Sequence, residues 1–188
     1  MIQTIGKAGL DTFYQLIDEF KPRMQVQRVG SSFENRPIYG IRWGSGPTKI
    51  FFWAQMHGDE PTGCKAIIEL CQILEGMKEY EQVSSGKRIR WRSAFSLYLI
   101  PLLNPDGAYY NMRYNAMGID LNRDARTLIA PESQLLDELV CDYRPNLTIN
   151  LHDSSRSYAV GDTSNPATIS FSAPSVTNNT QKVPANRL

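Results

Sequence analysis

The sequence predicts an α/β domain with a mixed, mostly parallel sheet flanked by helices. Short runs of consecutive apolar residues, such as residues 49–54, are typical of strands buried on both faces. Longer stretches with apolar residues at helical spacing alternate with these runs, as they do in α/β domains. A length of 188 residues is enough for one such domain to bury a core without disulfides.

The first predicted elements are a helix and an antiparallel strand pair. Apolar residues recur at helical spacing over residues 10–20, and Pro22 ends this helix. Residues 24–29 and 37–43 are predicted strands, joined by the polar, turn-rich segment 30–36.

The chain then alternates buried strands with helices. Residues 49–54 are a predicted strand, and the next predicted helix begins at Pro61 and runs to about residue 76. Proline is favourable at the start of a helix because its missing N–H costs nothing there. Residues 77–92 are charged and are predicted to form an irregular surface segment. Residues 94–103 are the next buried strand.

The last predicted elements follow a long polar segment. Residues 104–130 are predicted to be a loop, a helix begins at Pro131, and residues 147–151 form the final strand. We expect a domain over residues 1–171 and an irregular tail over 172–188, because the tail has no periodicity.

Composition excludes several classes of partner. The net charge of +1, with no Lys/Arg cluster recognised, gives no reason to expect nucleic acid. The longest apolar runs, such as residues 96–103, are too short to cross a bilayer. The first residues lack the apolar core of a secretion signal, which predicts a cytoplasmic location. Cys64 and Cys71 are interpreted as small core residues.

Both histidines of the chain follow predicted buried strands. His57 is followed three residues later by Glu60, and His152 follows the last strand. A lone histidine is usually an ordinary core or surface residue, but two at strand ends with a nearby carboxylate favour a metal site. Two imidazoles and one carboxylate that leave a coordination position open are typical of catalytic zinc. Asp59 is close enough in the chain to accept a hydrogen bond from His57, and the fold decides whether it does.

Four segments in one order resemble the zinc metallocarboxypeptidase family. Residues 56–63, Met-His-Gly-Asp-Glu-Pro-Thr-Gly, are similar to its zinc-binding turn. Residues 104–107 (Asn-Pro-Asp-Gly), 118–124 (Gly-Ile-Asp-Leu-Asn-Arg-Asp) and 150–153 (Asn-Leu-His-Asp) follow in the family's order. The hairpin over residues 30–38 also resembles the one that precedes the first motif. The resemblance implies a zinc-carboxypeptidase-like fold and the N-terminal part of the catalytic domain.

The resemblance implies that His57, Glu60 and His152 are zinc ligands. It also implies that Arg113 polarises the scissile carbonyl and stabilises the oxyanion, and that Asn122 and Arg123 bind the terminal carboxylate of the substrate. An arginine fork suits a carboxylate because it binds in bidentate fashion and stays charged near neutrality. The alternative for Arg123 is a surface salt bridge to Asp120 or Asp124. The turn at residues 104–107 is expected to shape the site.

The family's general-base glutamate has no counterpart here. The acids after His152 are Asp153 and Asp162, and Asp153 on a strand should face away from the metal. The resemblance therefore implies a zinc-dependent domain, truncated at its C-terminus, that hydrolyses C-terminal peptide bonds weakly or not at all.

The expected partner is a peptide or an amino-acid-derived substrate with a free carboxylate, and neither nucleic acid nor a membrane is expected. Three alternatives remain open at this point. The first alternative is a zinc-dependent deacylase of N-acyl amino acids. The second is a non-catalytic zinc- or peptide-binding module, and the third is a fragment that does not fold alone.

Overall fold

A computed structural model describes residues 6–78 and 83–153, which form a five-stranded sheet with helices on both of its faces. The elements in chain order are α1 (Gly6–Phe20), β1 (Gln25–Ser31), β2 (Pro37–Gly44), β3 (Thr48–Ala54), α2 (Thr62–Leu74), α3 (Ser85–Ala94), β4 (Phe95–Ile100), α4 (Pro105–Tyr110), α5 (Leu121–Asp124), α6 (Pro131–Tyr143) and β5 (Leu147–Leu151).

The strands lie in the order β1-β2-β4-β3-β5. β1 pairs antiparallel with β2, and β2 pairs antiparallel with β4. β3 lies between β4 and β5 and is parallel to both. The predicted mixed sheet flanked by helices is thus confirmed, but among the described residues two of the four strand pairs are antiparallel, so the sheet is not mostly parallel. Its parallel part places the ends of β3 and β5, where the two histidines follow, at one edge.

The core consists of one apolar cluster on each face of the sheet, and β4 contributes to both. Leu97 and Leu99 belong to the cluster with α1 and α2, whereas Tyr98 and Ile100 belong to the cluster on the α6 side. This alternation follows from the two-residue period of a strand. Both faces of β4 are buried, which is why its sequence is almost continuously apolar.

The helices α1 and α2 bury the apolar faces that their spacing predicts. Leu10, Phe13 and Ile17 of α1 are buried in the same cluster as Cys64 and Cys71 of α2. Burial raises the pKa of the Cys71 thiol to about 12, so the thiolate does not form near neutral pH. Cys64 and Cys71 are therefore core residues, as predicted.

The prediction of an irregular segment over residues 77–92 was wrong in its second half, where α3 begins at Ser85. Ser84 caps this helix by accepting a hydrogen bond from the Lys87 backbone N–H at 3.4 Å. None of the residues of α3 is buried, so the helix carries no apolar periodicity by which it could be recognised. The helix also contains four basic residues, which the near-zero net charge of the whole chain did not indicate: Lys87, Arg88, Arg90 and Arg92.

The predicted loop over residues 104–130 contains two short helices, α4 and α5, each too short for a periodic signal. The other predicted helices and strands are present within a few residues of their expected bounds. The proposed boundary between residues 171 and 172 lies outside the described residues. Within the part of the chain that the structure describes, no helix has both the length and the apolarity needed to span a membrane.

Asp124 organises the connection between α5 and α6. The residue is 3% exposed, and its carboxylate accepts hydrogen bonds from the Thr127 hydroxyl at 2.6 Å and from the backbone N–H groups of Ile129 at 3.0 Å and Ala130 at 2.8 Å. Burial alone would raise the pKa of Asp124, but these hydrogen bonds outweigh burial and hold the pKa below its ordinary value.

Asp124→Asn should lower the free energy of unfolding at pH 7 by roughly 1–3 kcal/mol, because the amide removes acceptor capacity from buried N–H groups. A lowered folded-state pKa stabilises the protein above the unfolded-state value of about 4, and this contribution disappears as the pH falls through the folded-state value. The difference between wild type and variant should therefore shrink from pH 7 to pH 3 in urea unfolding. Asp137→Asn, at an exposed position of α6, is the control. An equal loss at both pH values would contradict the prediction.

Candidate metal centre

The turn after β3 holds His57 and Glu60 in a fixed backbone conformation. Gln55 leaves the strand with a left-handed φ of 49°, and its side-chain amide donates to the carbonyl oxygen of Gly58 at 2.8 Å. The backbone N–H of Glu60 then donates to the carbonyl oxygen of His57 at 3.1 Å. The turn thus brings a buried imidazole, 2% exposed, beside a carboxylate at the start of α2.

Asn104 fastens this turn to α4. Its side-chain amide donates to the carbonyl oxygen of Met56 at 3.1 Å and accepts from the backbone N–H of Gly107 at 2.8 Å. Asn104 is fully buried, so both hydrogen bonds are shielded from water. The Asn-Pro-Asp-Gly turn shapes the site, in agreement with its predicted role.

His152 reaches the same place from the end of β5. Leu151 of β5 is the register partner of Ala54 of β3, so the residues that follow these strands lie side by side. The ring centroids of His57 and His152 are 4.8 Å apart.

The carboxylate of Glu60 lies between the two rings. One oxygen is 2.9 Å from Nδ1 of His57, and the other is 2.8 Å from Nδ1 of His152. One ligand atom from each of His57, Glu60 and His152 can be chosen so that all three lie within 4.8 Å of one another, a group that could hold a metal ion. The structure therefore brings together the three residues that the sequence selected as ligands.

The far nitrogen of each ring has its own partner. Nε2 of His57 lies 3.1 Å from Oδ1 of Asp120, and Nε2 of His152 lies 2.9 Å from Nδ2 of Asn150. Asp59 does not fill this position, because it is exposed and Asp120 occupies the place beside Nε2 of His57. Chain proximity suggested Asp59, whereas the fold brings in a carboxylate from a distant loop.

The charges of the site are coupled. Burial alone would raise the pKa of Glu60, yet hydrogen bonds from His152 and His57 hold it far below its ordinary value. Burial alone would lower the pKa of His57, yet Glu60 and then Asp120 raise it. Glu60 is therefore an anion throughout the neutral range, which is the form that binds a cation.

Arg113 is fixed at the edge of the group by the same aspartate. Its Nε and Nη2 atoms donate to Oδ2 of Asp120 at 3.2 Å and 3.1 Å, and Nη1 lies 3.4 Å from Oε1 of Glu60. Asp120 thus joins an arginine to a histidine, one carboxylate oxygen for each. The sequence did not indicate this role, because the motif over residues 118–124 drew attention to Asn122 and Arg123 and not to Asp120.

Asn122 and Arg123 are the second and third residues of α5, which begins directly after Asp120. The backbone N–H of Asn122 donates to Oδ1 of Asp120 at 2.9 Å, which places the start of α5 beside the site. Arg123 is exposed and forms no salt bridge within residues 6–78 and 83–153. The alternative of a pair with Asp120 or Asp124 is not observed, because those carboxylates bind Arg113 and the loop before α6.

Asp106 was also missed, as a partner of the β1–β2 hairpin. It is fully buried and accepts from the hydroxyl of Ser32 at 2.6 Å, the backbone N–H of Glu34 at 2.9 Å and the guanidinium of Arg36 at 2.6 Å. Turn residues such as Asp106 are common on surfaces. Nothing local in the sequence indicates that this one anchors the hairpin to α4.

Comparison with known proteins identifies the architecture. A family model described as zinc carboxypeptidase matches residues 10–134. The chain belongs to the zinc carboxypeptidase family. This is a family of zinc-dependent hydrolases, and the group formed by His57, Glu60 and His152 in this zinc carboxypeptidase chain could hold the metal.

Curated relatives match over part of their length. Carboxypeptidase 2 of Trichophyton rubrum is 26% identical over 140 residues, which cover 74% of this chain and 23% of that protein. Carboxypeptidase D of Drosophila melanogaster is 28% identical over 134 residues, covering 61% of this chain and 9% of that protein. The chain thus corresponds to less than a quarter of the length of these relatives.

Solved structures agree in fold. A metallo-carboxypeptidase from Burkholderia cenocepacia superposes with a TM-score of 0.67 at 19% identity, over 78% of this chain and 40% of that one. A metallo-carboxypeptidase from Pseudomonas aeruginosa, solved in complex with (2-guanidinoethylmercapto)succinic acid, gives a TM-score of 0.64 at 26% identity, over 76% of this chain and 39% of that one. The carboxypeptidase-like fold expected from the sequence is confirmed.

Gly58 allows the turn of the candidate metal centre to pack against α4. A Cβ atom at Gly58 would lie 1.9 Å from the carbonyl carbon of Gly107 and 2.2 Å from the backbone nitrogen of Ala108. Gly58→Ala should therefore push the turn and α4 apart and lower the free energy of unfolding by roughly 1–3 kcal/mol. Gly86→Ala is the control, since a Cβ there meets nothing within 4 Å. Urea unfolding of both variants measures the effect, and equal stability of the two would contradict it.

Proposed function

We propose that this chain carries the metal-binding and carboxylate-binding part of a zinc metallocarboxypeptidase that hydrolyses C-terminal peptide bonds. The proposal rests above all on the convergence of Nδ1 of His57, Nδ1 of His152 and the carboxylate of Glu60. Two neutral nitrogen donors and one carboxylate are a ligand set typical of catalytic zinc, with a position left for water or substrate.

The donor set fits zinc in its surroundings as well as its composition. The Nε2 atom of His57 faces a carboxylate of Asp120, which would keep a proton on Nε2 once a metal ion took the place of the Nδ1 hydrogen bond to Glu60. A bound zinc ion would polarise the scissile carbonyl and activate a water molecule.

Arg113 is proposed to stabilise the negative charge that develops on the carbonyl oxygen of the scissile bond. Its guanidinium is held by Asp120 next to Glu60, so it is oriented before substrate arrives. A pre-oriented cation beside the reacting carbonyl stabilises the transition state more than the ground state. The remaining exposure of this side chain, 36%, leaves it accessible to a ligand.

Asn122 and Arg123 are proposed to bind the terminal carboxylate of the substrate. They follow Asp120, which contacts both His57 and Arg113, and Arg123 is exposed. A fork of N–H donors beside an amide matches the geometry of a carboxylate.

Turnover by this chain is expected to be weak, because no side chain that could act as the general base is evident. After His152 the sequence contains Asp153 and Asp162 as acids and no glutamate. Loss of a general base typically lowers the rate by roughly 10²- to 10⁴-fold. The cytoplasmic location remains a prediction.

His57→Ala should abolish stoichiometric zinc binding, because it removes one of three proposed ligands. The test is metal content after dialysis against zinc and then buffer, measured by atomic emission, together with competition by a chromogenic chelator. Asp59→Asn is a matched control in the same turn, since Asp59 is exposed and lies between two proposed ligands. Zinc content that is unchanged in His57→Ala would refute the metal site.

Arg123→Ala should weaken binding of a peptide with a free C-terminal carboxylate by about 10- to 100-fold, the loss expected for a charged hydrogen bond. Calorimetric titration with the free peptide and its C-terminal amide measures this, and the amide should bind weakly to both proteins. Arg126→Ala, at an exposed position two residues beyond α5, is the control.

The same preparation separates the other functions. Turnover of N-acyl amino acids without turnover of peptides would favour the deacylase. Zinc and peptide binding without hydrolysis at high protein concentration would favour a binding module. Equal peptide binding by Arg123→Ala and Arg126→Ala would contradict the proposed carboxylate site.

A further inference from the structure

The helix α3 concentrates the positive charge of the chain. Its ten residues include four basic side chains and no acidic one. The chain has 20 basic residues, so 16 remain outside α3, against 19 acidic residues. The rest of the chain is therefore slightly acidic, and the net charge of +1 conceals a basic helix on a protein of the opposite sign. An anionic surface would attract this helix and repel the remainder.

The C-terminal end of α3 is held against the turn between β2 and β3. The backbone N–H of Ser45 donates to the carbonyl oxygen of Arg92 at 2.9 Å. The backbone N–H of Gly46 donates to the carbonyl oxygen of Phe95 at 3.0 Å. A Cβ atom at Gly46 would lie 2.0 Å from the carbonyl carbon of Ala94, so turn and helix are in direct contact. The helix therefore projects its outer side chains from a fixed base.

The two sides of α3 differ in character. Trp91 is half-buried and, together with Phe95, packs against the apolar cluster that contains α1 and α2. Ile89 is 71% exposed. Residues two apart in a helix are about 200° apart around its axis, so Ile89 points away from Trp91. The side of α3 that faces away from the core thus presents an aliphatic side chain.

Exposed cations flank this aliphatic side chain, and together they define the basic face of α3: Lys87, Ile89, Arg90 and Arg92. Arg92 lies 3.7 Å from Glu75, but its side chain is 59% exposed, and an ion pair at such a position contributes little. Arg88 does not belong to this face, because it is half-buried and donates to the carbonyl oxygen of Val83 at 3.3 Å. Three cations therefore remain accessible around one apolar residue.

This combination suits an anionic lipid surface better than it suits nucleic acid. Headgroup charges attract the cations, and an aliphatic side chain enters the boundary between headgroups and acyl chains. Single-stranded nucleic acid is bound by aromatic rings on which its bases stack. Trp91 and Phe95 line an open groove beside Lys87 and Arg90, but both rings pack against the core and the outermost side chain is aliphatic. An oligonucleotide is therefore the competing partner to be tested.

We propose that the basic face of α3 binds the surface of a membrane that contains anionic lipid, with the helix lying along the headgroups. This goes beyond the proposed function and is independent of it. Phe95, which follows α3, is the register partner of Thr48 at the start of β3, whereas the metal-binding turn follows Ala54 at the other end of that strand. A strand of this length spans roughly 20 Å. Binding at α3 therefore does not occupy the candidate metal centre.

Co-sedimentation of the full 188-residue chain with vesicles measures the binding. Vesicles that mix phosphatidylserine with phosphatidylcholine should bind the protein, and vesicles of phosphatidylcholine alone should not. Arg90→Ala should weaken binding by about fivefold, the contribution of one cation near an anionic surface. Arg23→Ala is the matched control, since it removes an exposed cation from the turn after α1. Equal binding to both kinds of vesicle, binding to neither, or equal weakening by the two variants would overturn the inference.

Ile89→Ser distinguishes a lipid surface from another polyanion. It should weaken vesicle binding by about 5- to 10-fold, because it removes the apolar side chain that enters the lipid. Ile129→Ser, at a position that is 58% exposed in the loop before α6, is its control. Anisotropy of a labelled single-stranded oligonucleotide measures the competing partner. Oligonucleotide binding that is tighter than vesicle binding and is weakened by Arg90→Ala would assign the helix to nucleic acid and overturn the inference.

Stability and zinc content identify variants that have lost their fold. Ile89 and Arg90 are exposed, so their substitution should leave the midpoint of urea unfolding unchanged. Arg90→Gln, which retains a strong helix former, replaces Arg90→Ala if the latter unfolds at lower urea. A wild type that binds no zinc would refute the metal site, whereas vesicle binding by that protein would still support the role of α3.

Discussion

The contact of one carboxylate with two imidazoles is the interaction on which the organisation of this molecule depends. Glu60 belongs to the turn after β3, and His152 follows β5, so the carboxylate joins two strands at the same edge of the sheet. The parallel pairing of these strands is what makes the contact possible. A carboxylate and two imidazoles at such distances form a group that could hold a metal ion.

Around this contact the protein places groups that hold each member in orientation. Asp120 accepts from His57 with one oxygen and from Arg113 with the other, and Asn104 ties the metal turn to α4. Asp106 extends the same support outward to the β1–β2 hairpin. Each of these groups is a polar side chain in a loop or at a helix start, and each makes more than one hydrogen bond. The site is therefore built by loops that the sheet brings together.

The family assignment and the geometry support each other without depending on each other. The family model matches residues 10–134 and therefore does not include His152. The contact between His152 and Glu60 comes from the structure, in which Nδ1 of His152 lies 2.8 Å from a carboxylate oxygen of Glu60. The relatives are several times longer than the matched segment. The chain thus matches part of the family's fold and brings together three candidate metal ligands.

Much of the fold was predictable because its signals are local. Apolar runs indicated β3 and β4, helical spacing indicated α1 and α2, and two histidines at strand ends indicated a metal site. The helix α3 was missed because none of its residues is fully buried, and a helix without a buried apolar face leaves no period in the sequence.

The sequence by itself determined the strands, the principal helices and the candidate ligands, since residue type and spacing encode them. Only the tertiary structure decided that Asp120, and not Asp59, lies within hydrogen-bond distance of Nε2 of His57, and that Asn150 lies beside Nε2 of His152. These partners are chosen by the crossing of distant loops and by the register of β3 with β5. Such choices depend on where the chain returns in space, which no local pattern records.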